Sequence, residues 1–153
     1  MAKDVVNLAI EDLKAKVKLA PLIISAETDS AIYVYDQDQL LSQSEQLTPP
    51  YIGVIYEGLF SDGNAEKCTV GGLNARLRCA IFVVTDGNTF GGEDLKPSMT
   101  ELLDEIRNCI RLTKSPWGHF WHFVEETLAP YDQSSFGYIQ RWQTKAPLTQ
   151  ELP

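Results

Sequence analysis

Two histidines, three cysteines and several adjacent carboxylates are the side chains of this 153-residue sequence that could do chemistry. His119 and His122 are its only histidines, in Trp117-Gly118-His119-Phe120-Trp121-His122-Phe123, so any imidazole-based metal binding or proton transfer must use them. On a helix, a spacing of three would put both rings on one side; on a strand it turns them to opposite faces. The aromatic content around them predicts a strand. With no third ligand at a recognisable spacing, polar positions in an aromatic strand are the main reading, and a small metal-dependent enzyme using His119 and His122 is the minor alternative.

The other reactive types are no more suggestive. Cys68, Cys79 and Cys109 are odd in number and share no CxxC spacing, which predicts buried free thiols in a reducing compartment and neither a disulfide framework nor a zinc site. Gly87 to Gly92 precedes a helical pattern as a phosphate-binding loop would, yet Glu93 and Asp94 follow the glycines where Lys and Ser or Thr are required, and two carboxylates there repel a phosphate. No Gly-x-Ser-x-Gly elbow is present, and no cysteine has a histidine beside it in sequence. Asp104-Glu105 and Glu125-Glu126 read as solvated charges. The expectation is a protein without catalytic residues, metal or cofactor.

Bulk composition agrees with a binding or structural role. A chain of this length buries about 68 to 70% of the surface its unfolded form exposes, enough for one core. Hydrophobic residues make up 44% and charged residues 22%, so neither disorder nor a fibrous class is indicated. The formal net charge is −8, spread along the chain, and Arg76 with Arg78 and Arg141 with Lys145 are the nearest approaches to a basic cluster. Specific nucleic-acid binding by counterion release is therefore not expected, although an acidic wall could let DNA slide past without sticking. No stretch approaches 18 apolar residues, and Asp4 and Asn7 interrupt the N-terminus where an export signal would be apolar; a soluble, non-exported protein without membrane contact is expected.

The elements that would position these residues follow from periodicity. Val5, Val6, Ala9, Ile10, Leu13 and Val17 form one arc of a helix over residues 4 to 18, with Asp12 four residues before Lys16 and Pro21 as the stop. Residues 31 to 35 predict a short strand, and residues 36 to 48 could hold a helical turn before Pro49-Pro50. Tyr51 to Glu57, apolar on both faces, predicts a central strand, and residues 58 to 72 a polar connection. Residues 73 to 85 predict the longest strand, with Leu77, Cys79, Ile81 and Val83 on the core face and Arg76, Arg78, Ala80, Phe82 and Val84 on the other.

Ser98 with Glu101 suggests a capping box for a second helix whose buried stripe is Met99, Leu102, Leu103, Ile106, Cys109 and Ile110. Residues 119 to 126 and 136 to 145 complete an antiparallel pair. The fold class expected is α+β: one domain, a mainly antiparallel sheet of four to five strands and two helices packed on it. On the last strand, Phe136, Tyr138, Gln140, Trp142 and Thr144 share one face, while Ile139, Arg141, Gln143 and Lys145 share the other. Large aromatics such as Tyr138 and Trp142 on a strand face are candidates for protein contact, and core packing within the chain explains a Trp at least as often.

Taken in order, the proline-led strand Pro50-Tyr51-Ile52-Gly53-Val54-Ile55-Tyr56-Glu57-Gly58, the strand Ala80-Ile81-Phe82-Val83-Val84-Thr85 before a Gly-rich loop, and Leu102-Leu103-Asp104-Glu105-Ile106-Arg107 resemble the layout of phage tail-terminator (tail-completion) proteins of the Mu-like and prophage type. The likeness runs from Val5 to Pro147, with Lys96-Pro97-Ser98-Met99 departing from the Gly-Tyr pair common before the second helix. It implies a virion protein, assembled in the host cytoplasm and placed at the tail and neck, whose copies form a hexameric ring by heterologous contacts. Its partners would be the tail tube protein and a head-side connector or neck protein, with DNA passing through the lumen without specific binding. Another neck or connector ring component is the neighbouring alternative. On this reading Arg76, Arg78, Phe82, Arg141 and Trp142 are the candidate subunit or tube contacts, and residues 59 to 72 and 87 to 96 are surfaces that order on assembly.

Overall fold

A computed structural model describes residues 4–21, 23, 32–42, 51–61, 75–85, 99–130 and 136–146. Cys68, the Gly87–Gly92 run, Ser98 with its capping box, and most of the two connections at 59 to 72 and 87 to 96 lie outside those residues. In chain order the elements are helix α1 (Val5–Val17), strand β1 (Tyr33–Asp36), a short helix α2 (Gln37–Ser42), strands β2 (Tyr51–Ser61) and β3 (Ala75–Thr85), helix α3 (Met99–Ile110), and strands β4 (His122–Pro130) and β5 (Phe136–Ala146). The five strands form one sheet in the order β1-β2-β3-β5-β4. The fold is α+β as expected. Its sheet is mixed, since β1 pairs parallel to β2 while the other three pairings are antiparallel, and α2 adds a third helix in the segment read as a helical turn.

Helix α1 starts where Asp4 caps it, its carboxylate accepting from the Asn7 amide at 2.8 Å, and Lys16 pairs with Asp12 one turn back at 2.6 Å. Val5, Ala9, Ile10, Leu13 and Val17 are buried in the core, as the periodicity predicts. Helix α3 buries Leu102, Leu103, Ile106 and Ile110, with Cys109 only half-buried. Both helices lie against the sheet face made by Ile52 and Val54 of β2, the alternate residues Leu77, Cys79, Ile81 and Val83 of β3, and Trp142 of β5. The core face assigned to β3 from alternation is the one observed.

Two bulges reset this alternation. Strand β2 does not end at Glu57: a register shift between Tyr56 and Gly58, with Gly58 at φ 146°, lets the ladder continue so that Leu59 faces Leu77, Phe60 faces Arg76 and Ser61 faces Ala75. A second shift falls between Phe123 and Glu125 on β4. Strand β4 also starts later than predicted, at His122. The preceding residues close a tight loop in which Lys114 and Phe120 bridge, Gly118 sits at φ 93° and the Gly118 amide donates to Ser115 O at 3.0 Å.

Candidate functional site

The five anticipated contact residues separate into two groups. Arg76, Arg78, Phe82 and Arg141 are half-buried on the sheet face turned away from α1 and α3. Trp142 is on the opposite face. It is 1% exposed, packs edge-on against Phe123 with ring centroids 5.3 Å apart, and its indole Nε1–H donates to Gln140 Oε1 at 3.2 Å. The aromatic face of β5 is thus the one the helices cover, and Trp142 is a core residue that presents no surface to a partner. Alternation separates two faces but does not say which one a helix will occupy.

The outer face combines cations, carboxylates and aromatic rings. Arg141 Nε–H donates to Glu57 Oε2 at 3.0 Å, and its Nη1–H to Glu125 Oε1 at 2.8 Å. The Glu57 side chain reaches Arg141 from the bulge of β2, two strands away. The Arg78 guanidinium lies 4.7 Å over the Phe60 ring centroid, with its Nη2 3.5 Å from Gln143 Oε1. Arg76 stands directly opposite Lys145 in the β3–β5 ladder. Like charges facing across an antiparallel pair are unfavourable unless an anion lies nearby.

His119 does not lie on a strand, and the two histidines are not sent to opposite faces. Both border one open cavity of about 360 Å³, with Arg76, Phe120, Gln143 and Lys145. His119 is positioned by its backbone, whose amide donates to Ser115 Oγ and whose carbonyl accepts from Thr144 Oγ1 at 3.2 Å. No group of three or more His, Cys, Asp or Glu side chains placed to hold a metal occurs among the described residues. The cavity brings together two imidazoles, a guanidinium and an ammonium, with no carboxylate among the described residues that line it.

A second open cavity, of about 340 Å³, has the opposite character. It lies between α1, the end of β1, the start of α2 and β2, and Glu11, Asp36 and Asp38 line it with Asn7, Gln37 and Tyr56. Lys14 Nζ, 3.3 Å from Asp36 Oδ2 and 2.7 Å from Gln39 Oε1, ties α1 to this corner. Asp36 Oδ1 accepts from the Gln39 amide at 2.9 Å while Gln39 Oε1 accepts from the Asp36 amide, a reciprocal pair that starts α2.

The other reactive groups are structural. Burial pushes the Cys79 thiol far up, with Glu57 adding to the effect; burial and then Glu105 raise Cys109. Neither is activated as a nucleophile. Glu126, expected to be solvated, instead accepts from Arg107 and from the buried Gln140 amide, whose Nε2–H also reaches Leu103 O at 2.9 Å. Sequence reasoning missed this network, although a lone Gln on an otherwise aromatic strand face was the available signal. No helix among the described residues is long and apolar enough to cross a membrane.

No protein-family model matches the sequence, and no curated protein does. Among solved structures, this chain is similar to one titled "Virion of native gene transfer agent (GTA) particle", with a TM-score of 0.58 at 14% identity over 93% of this chain and 97% of that one. At that identity the likeness is one of fold.

Proposed function

We propose that this chain is a structural protein of a tailed, phage-like virion and that its copies close the end of the tail tube as a ring, the role of a tail terminator. The observation that carries this reading is the near end-to-end fold likeness to a chain of a gene transfer agent virion, two chains of matching extent with little sequence in common. The layout of the proline-led β2, the Ala80–Thr85 strand and α3, which resembles that of tail-terminator proteins, supports the finer role from the sequence side.

The mechanism is occlusion. A ring seated on the last layer of tube subunits covers the surface the next layer would need and offers a new one to a head-side connector or neck protein. No bond is made or broken. Arg76, Arg78, Phe82 and Arg141 are the residues we assign to these contacts, since they occupy the face left free by the helices and hot spots of protein interfaces are enriched in arginine and aromatic side chains. The net charge of −8 suits a lumen through which DNA slides without adhering. The assembled protein would reside at the tail and neck of the particle, in a ring we take to be hexameric.

Electron microscopy of particles made without this gene product tests the reading. Overlong or headless tails support termination. Tails of normal length that fail to join heads assign the chain to another neck or connector ring, and normal virions overturn both.

A further inference from the structure

The chain between α3 and β4 is held more firmly than a connection needs. It folds back as a small hairpin in which the Ser115 amide donates to His119 O at 2.7 Å and the Trp121 amide to Thr113 O at 3.0 Å, with Lys114 opposite Phe120. Three elements fix it. From α1, Lys16 Nζ donates to Lys114 O at 2.6 Å and Asp12 Oδ2 accepts the Trp121 indole N–H at 2.9 Å. From β5, Thr144 Oγ1 donates to His119 O at 3.2 Å and Lys145 O accepts from the Trp117 indole; α3 joins it through the Thr113 amide, which donates to Ile110 O. Trp121 and Ser115 are buried. Connections ordinarily belong to the mobile part of a structure, whereas this one is preorganised.

What the hairpin exposes is apolar and cationic. Leu112, 78% exposed, stands at its foot with φ 60°, in the position after a helix where glycine or asparagine avoids strain. Phe120 is 46% exposed, and the Lys114 ammonium lies 5.2 Å over its ring. Arg111 is exposed beside Leu112 in sequence. No Asp or Glu occurs between Glu105 and Glu125, and Asp12, the carboxylate the hairpin touches, is engaged by Lys16 and Trp121. A single exposed apolar side chain is ordinary. A strained one, on an element fixed by three others, is not, and backbone strain enforced by the surroundings is concentrated at functional sites.

We propose that residues 111 to 121 form a preformed subunit contact, which sets Leu112 and Phe120 against a second copy of this chain while Arg111 and Lys114 face that copy's carboxylates. Charge selects the occupant. With 21 Asp and Glu against 13 Lys and Arg, a second copy presents the excess acid that the locally basic hairpin lacks. Asp38, Asp104 and Glu125 are exposed on it. Asp104 and Glu125 also meet arginines of their own chain, in surface pairs weak enough to be shared with an incoming cation. Arg111 and Lys114 repel their own counterparts across a symmetric contact, so the hairpin meets a different surface of its neighbour. Such heterologous contacts propagate until they close as a ring or run on as a filament. This deepens the ring reading and rests on it.

Separating folding from association tests the hairpin. Leu112→Gly relieves the strain and removes the side chain, while Phe120→Ala and Lys114→Glu alter the exposed side alone. Sedimentation of each purified protein over a concentration series, at low and high salt, follows self-association, with urea denaturation as the folding control. Zero-length carboxyl–amine cross-linking of mixed isotope-labelled and unlabelled wild type, and of assembled particles, is read by mass spectrometry. Wild type is expected to associate and to link Lys114 to a carboxylate of another copy. Leu112→Gly should fold at least as stably as wild type yet associate about tenfold more weakly; Phe120→Ala should weaken association to a similar degree, and Lys114→Glu should weaken it most at low salt. Absence of intermolecular links to Lys114, or association unchanged in Leu112→Gly and Phe120→Ala, overturns the contact, and links in particles from Lys114 to a different protein overturn the second copy as its occupant. If the gene-deletion phenotype is overlong tails and both variants restore normal particles, only this contact fails. Normal virions without the gene product remove the ring reading itself.

Discussion

Gln140 Oε1 accepts the indole N–H of Trp142 at 3.2 Å, two residues along the same strand and both shielded from water. The amide's other end donates to Leu103 O on α3 and to Glu126 on β4, so one side chain joins the core aromatic, a helix carbonyl and the edge strand. Replacing it with Leu keeps the volume but strands the indole N–H and removes a second bond to the Leu103 carbonyl, which keeps its partner within α3. Gln140→Leu should lower unfolding free energy by about 2 to 3 kcal/mol, given the cost of buried unsatisfied groups. Urea denaturation measures it, and a loss below about 0.5 kcal/mol would show that these bonds are replaceable by water.

Gly53 is needed for a different reason. A Cβ there would come within 2.7 Å of Leu40 Cδ1, so the glycine lets α2 lie close to β2. Gly53→Ala should destabilise by about 1 kcal/mol, because Leu40 must turn away from its place. In a Leu40→Ala background the same change should become neutral or stabilising, since glycine inside a strand costs entropy. Equal effects in both backgrounds would sever the link between Gly53 and Leu40.

Leu112 follows α3 with φ at 60° and is 78% exposed, so it bears left-handed strain with little burial in return. Leu112→Gly should raise the urea midpoint, by about 1 kcal/mol of stability, as glycine adopts this conformation freely. An unchanged or lowered midpoint would mean that Leu112 is held by packing.

How much of this was legible in the residues depends on what each signal encodes. The alternation of Leu77, Cys79, Ile81 and Val83 and the helical stripe of α3 are local, and both led to the correct buried faces. Trp142 was misplaced because parity distinguishes faces without saying which one α1 and α3 will cover. The parallel β1–β2 pairing depends on residues far apart in sequence, Tyr33 with Tyr51, and carries no local mark. The late start of β4 follows from the loop closed by Lys114 and Phe120, with Gly118 in a conformation most residues avoid. The meeting of Glu11, Asp36 and Asp38 at one cavity is invisible for a similar reason: they converge only after β1 has paired with β2.

The thiols give a pH dependence whose sign is fixed. Cys79 and Cys109 have folded-state pKa values raised above their ordinary 9.0, and Tyr56 is raised above 10.0, in each case first by burial. As pH climbs, the unfolded chain loses these protons before the folded one, so the stabilisation from keeping them neutral is full below about pH 8.5 and declines above it. The urea midpoint should be level between pH 7 and 8 and fall by pH 10, with Cys79→Ala flattening the decline. In a Cys68→Ser background, native protein at pH 8 should react with a thiol reagent slowly at Cys109 and at Cys79 only on unfolding. Rapid labelling of Cys79 in the folded state would contradict its burial.

Arg78 offers the cleanest separation of folding from assembly. Its guanidinium rests on the Phe60 ring and reaches Gln143, contacts that contribute about 0.5 to 1 kcal/mol at a partly exposed site. Arg78→Glu should therefore change chemical stability by about 1 kcal/mol or less. If Arg78 meets a neighbouring subunit or the tube, the same substitution places a carboxylate against a surface that selected a cation, and particles made without the wild-type gene product should not be rescued by it. Arg78→Lys keeps the charge but loses the planar stack on Phe60, so partial rescue is expected. Counting joined heads and tails by electron microscopy, with circular dichroism of each purified variant as the folding control, reads both effects. Full rescue by Arg78→Glu would remove this residue from the contact surface, whereas failure of a variant that also unfolds would be repeated with Phe82→Ala on the same face.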